Sequence, residues 1–453
     1  MKRKIYQNLL QWKKESNGKT ALLIEGARRV GKSYIAREFA RNEYKSYIIV
    51  DFKEGGTALD PLREILNGSL RNLDEFFLFL KFYSGQELYE RNSLIIFDEV
   101  QDFPRAREAI KFLVQDGRYD YIETGSLISI KENVKDIQIP SEEISLKLYP
   151  MDFEEFLWAL GQEALWDIIK LHYSKRKPLG NELHRNAMLW FRKYLIAGGM
   201  PQSVEALSKT NDLIKTDSVK RQILQLYRND IKKHDMINST SCGRIFDSIP
   251  SQLMKHEKRF VLSAIKENTS YERVEDDFYW LKDSQIVNII YNSHEPAAGL
   301  NLTREDNSLK CYMGDTGLLI SMAFEESRTL NTELYRALLY DKLNINEGMI
   351  IENIVAQMLI ATGRTPYYFS KSSRTDSKER MEIDFLITMD TLTSKHNIHP
   401  LEVKSGKNYT FSSLRKFTDK FSQYLAEPYI IHESDYREEN GIIFLPLYMT
   451  PLL

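Results

Sequence analysis

The chain has 453 residues, 42% hydrophobic and 28% charged, which is long for one hydrophobic core and leaves little room for extended disordered tracts. Its net charge of −2 excludes a general electrostatic pull toward nucleic acid, so any such binding must rest on a local patch. There is no apolar run of about 18 residues, and the start Met1-Lys2-Arg3-Lys4 lacks the apolar stretch of a secretory signal. The two cysteines, Cys242 and Cys311, are too few for a disulfide framework or a thiolate zinc site, so the expectation is a cytoplasmic protein that does not associate with membranes.

In chain order, Thr20 to Glu25 is a short apolar run that ends at a glycine, which predicts a buried strand. A helix over Tyr34 to Asn42 follows, then a strand (Tyr47 to Phe52), a helix (Leu73 to Phe82), a strand (Ser93 to Asp98), a helix (Arg105 to Gln115) and a strand (Tyr119 to Glu123). A fifth strand is expected near Ile144 to Leu148. This alternation predicts an α/β domain over 1–150, a parallel sheet with helices on both faces. From Asp152 helical spacing dominates, and 151–235 is expected to form a helical lid or linker, broken most sharply at Gly198-Gly199-Met200-Pro201. Short helices and strand-like pieces over 236–330, among them Val287 to Tyr291 and Lys310 to Met313, fit a winged-helix-like domain. The region 335–453 opens on a helix around Gly348 to Gly363 and continues with strands at Pro366 to Ser370, Met381 to Thr388 and His399 to Lys404.

Gly26-Ala-Arg-Arg-Val-Gly31-Lys32-Ser33 fulfils G-x-x-x-x-G-K-[ST] between a strand and a helix. Glycines let successive backbone N–H groups turn inward around phosphate oxygens, and the helix adds its positive N-terminal dipole. Gly26, Ala27, Arg28, Arg29, Val30, Gly31, Lys32, Ser33 and Tyr34 are thus expected at the nucleotide, with Lys32 reaching the β- and γ-phosphates and Ser33 ligating Mg²⁺. The strand Leu94-Ile-Ile-Phe-Asp98-Glu99 would deliver Asp98 to the metal and Glu99 to the attacking water as a general base. Thr124 or Ser126, after the fourth strand, would serve as a polar sensor, although a simple Thr-Gly turn reads equally well. ATP and Mg²⁺ are the expected ligands, and ATP hydrolysis the expected reaction.

The chain resembles a bacterial and archaeal group of AAA+-type ATP-binding proteins whose C-terminal half was long labelled a domain of unknown function. The segments that carry the likeness are the phosphate loop, Phe97-Asp-Glu-Val-Gln101, Thr124-Gly-Ser126, Leu148-Tyr-Pro-Met-Asp-Phe-Glu-Glu-Phe156, Ala197-Gly-Gly-Met-Pro201, Asp315-Thr-Gly-Leu-Leu319 and Leu401-Glu-Val-Lys404. The resemblance implies an ATPase core, a winged-helix-like middle and a nuclease-like end.

The C-terminal residues give that last expectation a chemical form. Glu352 on a helix, Asp384 on one strand, and Glu402 with Lys404 on the next follow the order of a PD-(D/E)xK nuclease-like domain. On a strand Glu402 and Lys404 share a face, so Asp384 and Glu402, completed by Glu352, would hold a second Mg²⁺ or Mn²⁺, and Lys404 would orient water or stabilise developing charge. The competing reading makes the same groups salt bridges in a catalytically inactive fold that binds nucleic acid or a protein. Ser405, Gly406 and Lys407 would form either a phosphate-contacting turn or an ordinary loop. Between Arg364 and Lys420, eleven Lys/Arg face seven Asp/Glu, with Tyr367, Tyr368 and Tyr409 interspersed, a local patch that could meet DNA or RNA or be an ordinary solvated surface. A second basic run, Lys220, Arg221, Arg228, Lys232 and Lys233, reads better as a solvated helix face, and none of the eight histidines shows metal-ligand spacing.

Overall fold

The computed structural model describes residues 1–68, 73–126, 138–238, 241–255, 258–265, 267, 269–296, 299–325, 337, 339, 347–371, 380–389, 396–406 and 409–453. They form two compact units: Met1–Tyr149 with Asp283–Gln285, and Pro150–Lys282 with Ile286–Leu453.

The first unit is built on five short strands, β1 (Ala21–Glu25), β2 (Ser46–Asp51), β3 (Ser93–Asp98), β4 (Asp120–Gly125) and β5 (Glu143–Lys147). All their pairings are parallel, in the order β2-β3-β4-β1-β5. The central strands β3 and β4 are buried along their whole length, as a parallel sheet covered on both faces requires. Helices Lys32–Glu43, Asp60–Asn67, Asp74–Ser84 and Arg105–Asp116 make the crossovers. Phe52 and Phe76 meet Phe97 edge-on in the core beneath them, and Tyr121 packs against Phe97 at a tilt. The register sets Asp51 beside Asp98 and Glu25 beside Gly125, so the carboxyl ends of β1, β3 and β4 share one edge of the sheet. That edge is where ligands bind in open parallel sheets.

The second unit starts with a capping box: Asp152 accepts the N–H of Glu155 at 2.9 Å, and Glu155 reaches back to the N–H of Asp152. Helices Phe153–Ala159, Glu163–Ser174, Asn181–Ala197, Pro201–Thr210 and Leu213–Asn238 follow. Gly198 ends the third of these at φ 73°, and Pro201 opens the next, where its missing N–H costs nothing. Helices Cys242–Leu253 and Glu275–Asp283 precede a hairpin of β6 (Val287–Ser293) and β7 (Arg304–Met313), after which comes helix Thr316–Ala323. Helix Glu347–Ala361 leads into an antiparallel meander, β8 (Tyr367–Lys371), β9 (Met381–Thr388) and β10 (Ile398–Val403). Helix Ser412–Phe421 then crosses to β11 (Tyr429–His432), which lies parallel to β10, and β12 (Arg437–Glu439) and β13 (Ile442–Pro446) extend that side.

The sheet runs β12-β13-β11-β10-β9-β8-β6-β7. The hairpin expected to belong to a separate middle domain therefore shares one sheet with the C-terminal strands, joined where Asn292 pairs with Tyr368. No described helix is long and apolar enough to cross a membrane.

Three of the segments quoted above meet inside this unit. Gly199 donates its N–H to Asp315 Oδ2 at 2.5 Å and accepts the N–H of Met151 at 2.7 Å. Buried Lys220 ties the same place together, donating to the carbonyls of Ile196 (2.7 Å) and Gly317 (3.1 Å). A Cβ on Gly199 would lie 2.1 Å from the Met151 carbonyl oxygen, and one on Gly317 2.5 Å from the Gly198 nitrogen. The glycines are there because backbone packs on backbone.

Candidate functional site

The loop between β1 and helix Lys32–Glu43 has the shape a phosphate cradle needs. Gly31 sits at φ 102°, open only to glycine, and a Cβ on Gly26 would come within 2.5 Å of the Leu148 carbonyl oxygen. Arg29 is also left-handed, at φ 69°, a strained position for a side-chain-bearing residue. Lys32 is buried and folds back over the loop, donating to the carbonyls of Gly26 (2.9 Å) and Ala27 (3.1 Å). Burial lowers its pKa to about 8, against the pull of Glu99 and Asp98. Arg28 is half-buried, and Arg29 and Tyr34 are exposed, the latter accepting a hydrogen bond from the N-terminal amine at 2.7 Å.

Asp98 is the hub of the site. Its Oδ1 accepts the Ser33 hydroxyl at 2.7 Å and the Thr124 hydroxyl as well, and its Oδ2 lies 3.5 Å from Arg37. The cis oxygens of an octahedral magnesium ion are about 2.9 Å apart for Mg–O bonds of about 2.0–2.1 Å. The Ser33 and Asp98 oxygens match that spacing, so the donor set fits the ion. Glu99, at φ 55°, leaves the strand line and is hydrogen-bonded by Gln101. Half-buried Ser126 follows β4 directly. Thr124, one of the two sensor candidates, donates its hydroxyl to Asp98, and the Gln101–Glu99 contact is one the sequence motif did not announce.

The C-terminal residues also come together, with company. Glu352 is buried, and its Oε1 accepts Tyr312 Oη at 2.5 Å and faces Lys310 Nζ at 3.3 Å, while Lys258 bonds its other oxygen. Lys310, itself 1% exposed, also lies 3.2 Å from Glu382 and 3.7 Å from Asp384. Asp384 Oδ2 accepts the N–H of Val403 at 2.9 Å, and Lys404 lies 3.2 Å from Glu402. Alternation along the strands explains the grouping: Glu382 and Asp384 share a face of β9, and Lys310 and Tyr312 share a face of β7.

The electrostatics follow this geometry. Burial raises the Glu352 carboxyl, but Lys258 and Lys310 outweigh it and leave the pKa at about 2. Burial works against charge on Lys310, yet Glu352, Asp384 and Glu382 hold it protonated, well above its ordinary range. Glu402 is raised by burial to about 7 and only partly offset by Lys404, and burial raises Asp384 as well.

This set does not fit a second divalent ion. The ammonium of Lys310 stands among the carboxylates the ion would need, and among the described residues Glu352, Asp384 and Glu402 do not bring three ligand atoms within 4.8 Å of one another. The sequence pattern missed Lys258 and Lys310 because both come from segments that precede Glu352 by about ninety and about forty residues.

Some members of both basic runs are engaged internally. Lys220 is fully buried, Arg221 pairs with Asp217 at 2.6 Å, and Arg228 pairs with Glu325 at 2.5 Å. Arg364 donates to the carbonyls of Thr388 and Leu453, Tyr367 and Tyr368 are buried, and Tyr409 bonds His432. Arg374, Lys378, Lys395 and Lys407 of the C-terminal run lie outside the described residues, as does His256.

Residues 18–157 match the family model of an AAA domain, which makes the first unit a P-loop ATPase domain of the AAA class. Residues 188–329 match a domain of unknown function, DUF8612, and residues 347–449 another, DUF4143. The chain belongs to the AAA-type ATPases that carry this DUF4143 domain at their C-terminal side. No curated protein matches it. Among solved structures it is similar to the Walker-type ATPase PABY2304 of Pyrococcus abyssi, at 15% identity over 71% of this chain and 95% of that one, with a TM-score of 0.41. It is also similar to the Orc1 protein of Aeropyrum pernix in complex with DNA (12% identity, 72% and 93% covered, TM-score 0.28). RuvB of Thermotoga maritima gives 12% identity over 63% and 88%, with a TM-score of 0.28.

Proposed function

We propose that this protein is an ATP-hydrolysing switch whose C-terminal domain has a PD-(D/E)xK nuclease-like fold that binds a protein partner and does not cut nucleic acid. The nucleotide half rests on the hub at Asp98. Lys32 exchanges the loop carbonyls for the β- and γ-phosphate oxygens, and the backbone N–H groups of the loop hold the α- and β-phosphates. Ser33 and Asp98 would hold magnesium, which when bound would supply positive charge to the transferred phosphoryl group. Thr124 keeps Asp98 turned toward Ser33, and Glu99 accepts the proton of the attacking water once Gln101 releases it.

The nuclease-like reading is supported by the order of elements: a helix bearing Glu352, a three-stranded antiparallel meander bearing Asp384 and Glu402, a crossover helix, and a strand parallel to the last of the three. Helices Cys242–Leu253 and Glu275–Asp283 before the β6–β7 hairpin support a winged-helix-like segment, and that hairpin carries Lys310. The single observation that favours binding over cleavage is Lys310 among Glu352, Glu382 and Asp384. A lysine there supplies the positive charge but cannot activate water as a divalent ion does.

Purified protein incubated with plasmid DNA and structured RNA, with Mg²⁺ or Mn²⁺ and with or without ATP, tests this directly. ATP turnover abolished by Lys32→Ala, without cleavage of either nucleic acid, is the expected result. Cleavage lost in both Asp384→Ala and Lys404→Ala would overturn the reading. Partners recovered from lysate should survive nuclease treatment, and partners lost with the nucleic acid would restore DNA or RNA as the ligand.

A further inference from the structure

We infer that His234, Cys242 and Asp277 form a binding site for a zinc-class divalent ion that joins three helices of the second unit. The three residues come from different elements: the end of helix Leu213–Asn238, the start of helix Cys242–Leu253, and the first turn of helix Glu275–Asp283. One ligand atom from each lies within 4.8 Å of the other two, and all three side chains are buried.

The spacing is that of a ligand set. With a zinc–sulfur bond of about 2.3 Å, a zinc–oxygen bond of about 2.0 Å and a tetrahedral angle, the sulfur and oxygen of two ligands stand about 3.5 Å apart. Cys242 Sγ lies 3.4 Å from Asp277 Oδ1. The other oxygen of Asp277 accepts the Ser241 N–H at 3.1 Å, which fixes the carboxylate with Oδ1 toward the sulfur. The His234 ring is stacked on Trp280, centroids 4.3 Å apart and planes 22° from parallel, so its orientation is set by packing. Support of this kind around ligands keeps a metal site rigid.

Charge and hardness select the ion. A thiolate, a carboxylate and a neutral imidazole around a divalent cation sum to zero, and a neutral cluster is what a buried site tolerates. Sulfur with nitrogen suits zinc and its neighbours and disfavours magnesium and calcium, which take oxygen. Asp235 accepts the N–H groups of Cys242 (3.1 Å) and Gly243 (3.0 Å), so Asp277 Oδ1 is not needed to cap that helix. The helix N-terminus in turn favours the thiolate. On binding, the Cys242 S–H bond breaks, its proton passes to solvent, and the sulfur electron pair forms the bond to the ion, with no change of oxidation state. The fourth corner is left to water.

Cobalt(II) is the probe. Added to full-length protein stripped of metal, it should bind one equivalent per chain and give a near-ultraviolet thiolate-to-cobalt absorption that one equivalent of zinc abolishes. Cys242→Ser should remove that absorption, His234→Gln and Asp277→Asn should weaken binding at least tenfold, and Cys311→Ser should leave it intact. Far-ultraviolet circular dichroism checks that each variant is folded. Folded wild-type protein that takes up no cobalt would overturn the site and leave the trio a hydrogen-bonded cluster. An absorption that survives Cys242→Ser would overturn it as well.

Discussion

Lys310 Nζ lies 3.3 Å from Glu352 Oε1, a contact between the hairpin strand β7 and the helix that opens the C-terminal domain. Lys310 is 1% exposed and also faces Glu382 and Asp384, so together with Lys258 it is an internal counter-ion of a largely buried acidic cluster. Removing one partner of such a group leaves uncompensated charge, which is costlier than the group itself is stabilising.

Lys310→Met should destabilise the second unit by about 3–5 kcal/mol. Manganese should restore part of that loss in the variant and do nothing for the wild type, because the variant uncovers Glu382 and Asp384, which face Lys310 in the wild type. Thermal melts of both proteins across a Mn²⁺ titration read this out. A wild-type melting temperature that climbs with Mn²⁺ would contradict the assignment of Lys310 as resident cation.

Glu99→Gln should retain nucleotide and lose turnover by about 10²–10⁴-fold, the range for a positioned acid or base. Thr124→Ala should lose about 10–100-fold, since its hydroxyl acts through Asp98 and not on the water. Steady-state hydrolysis with parallel nucleotide-binding measurements separates the two. Equal defects in affinity would mean that both residues serve binding alone.

Nucleotide affinity should fall as pH rises through about 8, since Lys32 must be protonated to meet phosphate and burial has already lowered its pKa to that value. Binding then takes up a proton near pH 8, detectable by calorimetry in buffers of different ionisation enthalpy. For the free protein the sign is reversed. The folded pKa lies below the ordinary 10.5, so the unfolded chain holds more protons between about 8 and 10.5, and stability from this group increases across that window. Affinity that stays flat to about pH 9.5, well past the lowered pKa, would show Lys32 unperturbed.

Gly199→Ala should unfold or severely weaken the second unit, by more than about 3 kcal/mol, because the new methyl meets backbone on Met151 that cannot yield. Gly161→Ala is the control. Its φ of 70° is unfavourable for alanine, but no atom lies within 4 Å of the added carbon, so about 1 kcal/mol is expected. Denaturant melts of the two variants distinguish steric exclusion from backbone strain.

The parallel sheet of the first unit was legible from local pattern, and its strands lie within two residues of the predicted ones. Branched aliphatic runs bounded by glycine and charge report burial directly. The phosphate loop was legible for a related reason. The backbone turns that surround a phosphate require particular residue types at fixed short spacing, as Gly31 at φ 102° shows. Glu402 and Lys404 likewise follow from strand alternation, and they lie 3.2 Å apart.

Everything that depends on charge balance had to wait for the tertiary structure. Nothing near Lys258 or Lys310 in the chain indicates that both end beside Glu352, and nothing near Lys220 indicates that this member of a basic helix run is fully buried against the carbonyls of Ile196 and Gly317. His234, Cys242 and Asp277 lack any ligand spacing in sequence, yet three helix termini bring them together. The sequence by itself determined the periodic elements and the phosphate loop, because those obey forces acting over a few residues. Which carboxylate is neutralised, and by what, was decided only by the packing of distant segments, because electrostatic compensation in a buried site depends on separations in space.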